Sequence, residues 1–160
     1  MGDIRRYKED GCIYFVTTNT YSRREIFKNQ RACEFLRSII SYYRFVCKFK
    51  LYSYCIMPEH IHLIIQGLCK QYDISTIMKE IKGTFAREYN ILIRKNGEIW
   101  QRRFYDSIIR DENDLMAKIN YTFENPVRKG IVKTAIEYEF SSAKSYLLHG
   151  KDYITDIYQL

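Results

Sequence analysis

Lys50-Leu51-Tyr52-Ser53-Tyr54-Cys55-Ile56-Met57-Pro58-Glu59-His60-Ile61-His62-Leu63-Ile64-Ile65-Gln66 carries the pattern on which the fold turns. Residues 50–57 alternate like a strand, Pro58-Glu59 reads as a turn, and 60–66 read as a second strand, so the stretch predicts a hairpin. Upstream, from Asn29, apolar positions Cys33, Leu36, Ile40, Tyr43 and Cys47 recur every three or four residues, which predicts a helix. Before that, Gly11 to Thr18 is rich in aromatic and β-branched residues and predicts a strand. Downstream, Ile74, Ile77, Met78, Ile81, Phe85, Tyr89 and Leu92 form one helical stripe between Asp73 and Arg94. Phe104 to Ile109 reads as a short strand. Asp111-Glu112-Asn113-Asp114 then starts a helix with carboxylates at its positive end. Its core stripe is Leu115, Ile119 and Phe123, and Pro126 is expected to end it near Asn125. A short helix near Ser141 closes the series. Strand, helix, hairpin, helix, strand, helix is an α+β order, and a ferredoxin-like core of antiparallel sheet packed with helices fits it best.

The 160 residues suffice for one domain, taken as 1–160 with a short C-terminal tail from about residue 149. Hydrophobic residues at 46% and charged residues at 28% are a globular mixture. No apolar run is long enough to span a bilayer, and Met1-Gly2-Asp3-Ile4-Arg5-Arg6 lacks the pattern of a secretory signal, so a cytoplasmic protein is expected. Cys12, Cys33, Cys47, Cys55 and Cys69 are odd in number and include no Cys-x-x-Cys pair, which suits free thiols better than metal fingers or redox motifs. Lysine and arginine total 26 against 19 acidic residues, for a net charge of +7. That excess favours a polyanionic partner without saying which. Aromatics at 16%, among them 15 tyrosines, interleave with the cations in a way that suits single-stranded nucleic acid, though strand and core tyrosines would give the same count.

Three groups of residues could carry chemistry. His60 and His62, two apart on a strand, project from the same face and can reach one point, which is half of a transition-metal site. Solvated strand histidines are the plainer alternative. Tyr121 and Asn125, four apart on a helix, lie roughly 6 Å from each other on one face, with Lys118 three residues before the tyrosine. A phenol is a weak nucleophile and needs a cation, a base or a polarised target, and by spacing alone a packed or surface helix tyrosine beside an asparagine that stops the helix is the plainer alternative. The third group is the stretch from Lys82 to Arg110, with seven cations (Lys82, Arg87, Arg94, Lys95, Arg102, Arg103, Arg110) against Glu88, Glu98 and Asp106. Within it, Trp100-Gln101-Arg102-Arg103-Phe104-Tyr105 alternates rings and guanidiniums and suits phosphate contact with base stacking. A solvated face beside a core tryptophan would look the same.

The assembled pattern resembles the REP-associated tyrosine transposases, a branch of the single-tyrosine HUH transposases. The resemblance runs from Gly11-Cys12-Ile13-Tyr14-Phe15-Val16-Thr17 to Ser141-Ser142-Ala143-Lys144-Ser145-Tyr146. Its most specific parts are Met57-Pro58-Glu59-His60-Ile61-His62-Leu63, Trp100-Gln101-Arg102-Arg103-Phe104-Tyr105-Asp106 and Tyr121-Thr122-Phe123-Glu124-Asn125-Pro126-Val127-Arg128-Lys129-Gly130, in the family order. It implies a ferredoxin-like HUH domain in a bacterial or archaeal cell, acting on single-stranded DNA that often contains hairpins. His60 and His62 match the pair that holds a divalent metal, Mg2+ or Mn2+, and Asn125 matches the polar third ligand. Tyr121 matches the catalytic tyrosine, which attacks a backbone phosphate to give a 5′-phosphotyrosine link and a free 3′-hydroxyl. Lys82, Arg87, Trp100, Arg102, Arg103 and Lys118 are the candidate DNA contacts, and association into a homodimer is left open.

Two positions depart from the family pattern. Glu59 stands where many members have asparagine, and its strand phase, opposite to that of the histidines, predicts little consequence. Ser107 stands where a histidine is frequent. Two rival functions remain: a non-catalytic nucleic-acid-binding module, with Tyr52 and Tyr54 as stacking platforms on the sheet, and a zinc hydrolase built on the His-x-His pair, which lacks a clear acidic third ligand.

Overall fold

The computed structural model describes residues 11–150 and 152–158. Strand β1 (Ile13–Asn19) leads through two short 3-10 turns to α1 (Gln30–Val46). The hairpin follows as β2 (Phe49–Met57) and β3 (His60–Gly67). Then come α2 (Ile74–Leu92), β4 (Tyr105–Ile108), α3 (Glu112–Arg128) and the short α4 (Ala143–Leu147). The strand order is β2-β3-β1-β4 and every neighbouring pair is antiparallel. β1 and β2 therefore run parallel with β3 between them, and β3 and β4 run parallel with β1 between them. These two split β-α-β units make the fold α+β and ferredoxin-like.

Each long helix begins where a side chain can satisfy its first free N–H groups. Asn29 accepts from the Ala32 N–H at 3.3 Å, Asp73 from Thr76 at 2.8 Å and Asp111 from Asp114 at 2.8 Å. The end of α3 lies beyond the position the proline suggests. Pro126 sits inside the helix, which continues to Arg128. Its missing N–H removes a single helical bond, and the stop comes instead from Gly130 at φ 68°. There the Gly130 N–H donates to the Val127 carbonyl (2.8 Å) and the Ile131 N–H to that of Pro126 (2.9 Å), the pairing that closes a helix through a left-handed glycine.

Both faces of the sheet are covered. On one, Tyr14, Val16, Leu63 and Ile65 pack with Leu36 and Ile40 of α1 and Ile77, Ile81 and Phe85 of α2. On the other, Phe15 and Ile64 meet Leu115, Ile119 and Phe123 of α3. Strand β2 does not alternate cleanly, because its pairing with β3 slips between Leu51 and Ser53 and leaves Tyr52 as an extra residue. Tyr52 thus joins the α3 side while Tyr54 turns to the α1–α2 side. Their exposures are 6% and 1%, so neither ring is a surface for stacking bases. Residues 152–158 return to the sheet edge, where Ile154 is buried and the Asp156 N–H donates to the Leu51 carbonyl at 2.8 Å. Among the described residues, no helix is long and apolar enough to cross a membrane.

Candidate active site

The α3 face of the sheet positions the two histidines. His60 lies opposite Asn19 and Met57, and His62 opposite Thr17 and Cys55, in the antiparallel pairings of β3 with β1 and β2. Their Nε2 atoms approach to 3.1 Å. Each Nδ1 is held from behind: that of His62 lies 2.8 Å from the Thr17 hydroxyl, and that of His60 lies 3.1 Å from Oε1 of Glu59. A carboxylate only accepts, so His60 carries its proton on Nδ1 and turns the Nε2 lone pair into the site. The Thr17 hydroxyl pairs with His62 Nδ1 and holds that ring in place. Burial pushes the His62 imidazole down to about 3, with the neighbouring His60 and Arg128 adding to the shift. Burial also lowers His60, against the opposing pull of Glu59. Both rings are therefore neutral donors near neutral pH. The effect of Glu59 corrects the expectation from strand phase, since Glu59 belongs to the turn and its side chain folds back onto His60.

Asn125 comes from α3 to the same point. Its Nδ2 donates to His62 Nε2 at 3.0 Å, while its Oδ1 is buried with no hydrogen-bond partner. A half-turn of the carboxamide would exchange the two atoms and direct that oxygen at the imidazoles. Two imidazole nitrogens and one orphaned amide oxygen converging at a buried point fit a divalent cation. Among the described residues no three His, Cys, Asp or Glu side chains gather into a site of their own. The third donor here is a carboxamide, which a zinc hydrolase seldom uses.

Tyr121 stands one helical turn before Asn125 and is 41% exposed. Its ring meets that of His62 edge-on with centroids 5.5 Å apart, and that of Phe15 at 5.8 Å. Phe15 in turn stacks on His62 at 5.4 Å, so three rings fix one another. Two cations flank them. Lys118 Nζ lies 4.9 Å from the Phe15 centroid, and the Arg128 guanidinium lies 4.2 Å from that of Tyr121 and donates to the Tyr121 carbonyl at 3.1 Å. Lys118, Tyr121, Asn125 and Arg128 follow one another at intervals of three and four, which is one ridge of a helix. The result is a half-exposed phenol beside the imidazole pair, with Arg128 over its own ring and Lys118 over the neighbouring Phe15 ring.

The candidate DNA contacts divide. Trp100 is 7% exposed, packs on Phe27 and Phe85, and donates its indole N–H to the Lys82 carbonyl at 3.1 Å. It is a core residue, and its ring is not available for base stacking. Lys82 donates to the Gln101 carbonyl at 2.9 Å. Arg87 is exposed on α2, across the sheet from the histidines, and pairs with Glu88 at 2.8 Å. Arg102 and Arg103 are exposed and lead into β4, whose first residue, Tyr105, lies in one cross-strand row with Thr17 and His62. Lys118 is at the site itself. Sequence spacing missed Phe15, Thr17 and Arg128. Only Arg128 left a signal, seven residues beyond Tyr121 on the same helical ridge.

Comparison with known proteins identifies the family. The family model described as "Transposase IS200 like" matches residues 8–121, a span that ends on Tyr121. A REP-associated tyrosine transposase of Escherichia coli K12 is 31% identical over 142 residues, covering 89% of this chain and 82% of the relative. A Haemophilus influenzae protein provisionally given the same name is 29% identical over 154 residues, covering 89% and 85%. Among solved structures, a REP-associated tyrosine transposase bound to a REP hairpin superposes with a TM-score of 0.81 at 27% identity, over 100% of this chain and 95% of that one. With the histidine pair on its central strand and most of its length matched, the chain belongs to the IS200-like transposase family.

Proposed function

We propose that this transposase cleaves and rejoins single-stranded DNA with Tyr121 as its nucleophile, on substrates that contain a hairpin. The hairpin follows from the solved relative, which was captured with one. The single observation behind the nucleophile is the exposed Tyr121 ring 5.5 Å from that of His62. In the reaction the phenolic oxygen forms a bond to phosphorus, and the bond from phosphorus to the 3′-oxygen breaks. The phenol loses its proton and the departing 3′-oxygen gains one. The product is a 5′-phosphotyrosine link with a free 3′-hydroxyl, and attack by that or another 3′-hydroxyl reverses the step. One phosphodiester is exchanged for another, so no external energy source is required.

His60, His62 and Asn125 would hold a divalent cation, Mg2+ or Mn2+, and bound there it would neutralise charge developing on the non-bridging oxygens. Lys118 and Arg128 provide positive charge near the phenol, suited to holding the phosphate in line and to favouring phenolate. Phe15 keeps His62 and Tyr121 in their mutual orientation.

Incubation with end-labelled hairpin oligonucleotides and Mg2+ or Mn2+ tests the reading, with products resolved on a denaturing gel. A covalent protein–DNA band is expected for the natural chain and none for Tyr121→Phe or His60→Ala. An adduct that persists in Tyr121→Phe would remove the phenol from the mechanism.

A further inference from the structure

The two histidines are held in different ways. Thr17 offers His62 a neutral hydroxyl, whereas Glu59 offers His60 a carboxylate. The three inward donors, two imidazoles and a carboxamide, carry no charge among them, and their residues are only 3–6% exposed. A dication bound there would give up much of its water without meeting a negative ligand. Glu59 is an acidic group in direct contact with the set, one hydrogen bond behind it.

The turn that carries Glu59 is fixed. Pro58 supplies a preset φ at the corner, and its carbonyl accepts from the Phe27 N–H at 3.0 Å. The Glu59 carbonyl accepts from the Thr20 N–H at 2.9 Å and from the Thr20 hydroxyl at 3.0 Å. On the solvent side, Arg23 Nη1 lies 3.8 Å from the Glu59 carboxylate, whose side chain is 17% exposed.

We infer that Glu59 is a positioning residue for the metal, orienting His60 through Nδ1 and increasing the donor strength of its Nε2. It also lends the neutral donor set the negative charge it lacks. Carboxylates behind metal-binding histidines work this way, and losing one typically weakens metal affinity by about 10–100-fold. The inference rests on the metal reading proposed above.

Titration calorimetry with Mn2+ in the absence of DNA tests it, on the natural chain, Glu59→Gln, Glu59→Ala and His60→Ala. Glutamine keeps a hydrogen-bond acceptor and removes only the charge. The expected Kd rises about tenfold in Glu59→Gln and about 10–100-fold in Glu59→Ala, while metal-free unfolding midpoints match that of the natural chain. A Kd within about twofold of the natural one in Glu59→Gln, with binding lost in His60→Ala, overturns the role of Glu59 and leaves the metal site standing. Absence of Mn2+ binding by the natural chain overturns both. If Glu59→Ala fails to fold, Glu59→Gln alone decides.

Discussion

Tyr121 joins a fixed ring to a free hydroxyl. The ring is held by His62, Phe15 and Arg128, while the hydroxyl makes no hydrogen bond among the described residues. Removing one exposed oxygen should therefore leave stability within about 0.5 kcal/mol of the natural chain. Tyr121→Phe is expected to unfold in urea with an unchanged midpoint and to form no covalent adduct. A markedly lowered midpoint would mean that the hydroxyl supports the fold, and the lost adduct would then say nothing about chemistry. The two histidines were legible as a same-face pair because strand side chains repeat every two residues, whereas helical spacing put Tyr121 and Asn125 on one face without singling that tyrosine out of 15, and only the family resemblance did so. Phe15 and Thr17 were not legible, since spacing says which side chains share a face and never which distant strand they confront. Contact between Glu59 and His60 was illegible for a related reason, since strand alternation does not hold in the turn that carries Glu59.

At the scale of elements, the ridge from Lys118 to Arg128 exists only because α3 continues past Pro126. Had the helix stopped at Asn125, Arg128 would not stack on Tyr121. The order of elements was readable because apolar periods and capping residues are local properties. The terminus was not, because a proline in the last turn costs one bond, while the glycine that ends the helix acts through backbone geometry. Gly130 adopts φ 68°, and a Cβ added there would meet no atom within 4 Å. The cost of Gly130→Ala is thus purely conformational, about 1 kcal/mol. Urea unfolding should report that loss, and an unchanged midpoint would show that the end of α3 relaxes without strain. The slip at Tyr52 was illegible for a similar reason, since a bulge depends on how β2 meets β3.

For the molecule as a whole, the sheet divides the cations into two populations. Its α3 face carries Lys118 and Arg128 beside the phenol, while its α2 side carries Arg87, already paired with Glu88. The net charge of +7 suggested a polyanion partner but could not say which side it meets, because composition has no direction. Single-stranded DNA releases condensed counterions as cations replace them, and the logarithm of affinity falls with the logarithm of salt concentration by about 0.7 per phosphate neutralised. A strand lying along the α3 face would draw on Lys118 and Arg128 and leave Arg87 untouched. Lys118→Gln and Arg128→Gln should each lower the salt slope of binding to a hairpin oligonucleotide by about 0.7. Arg87→Gln should leave that slope unaltered. Fluorescence anisotropy across a salt series with the three variants separates the surfaces. A slope that drops in Arg87→Gln and holds in the other two would put the DNA on the opposite side of the sheet, away from Tyr121, and a strand bound there could not reach the phenol in the same molecule.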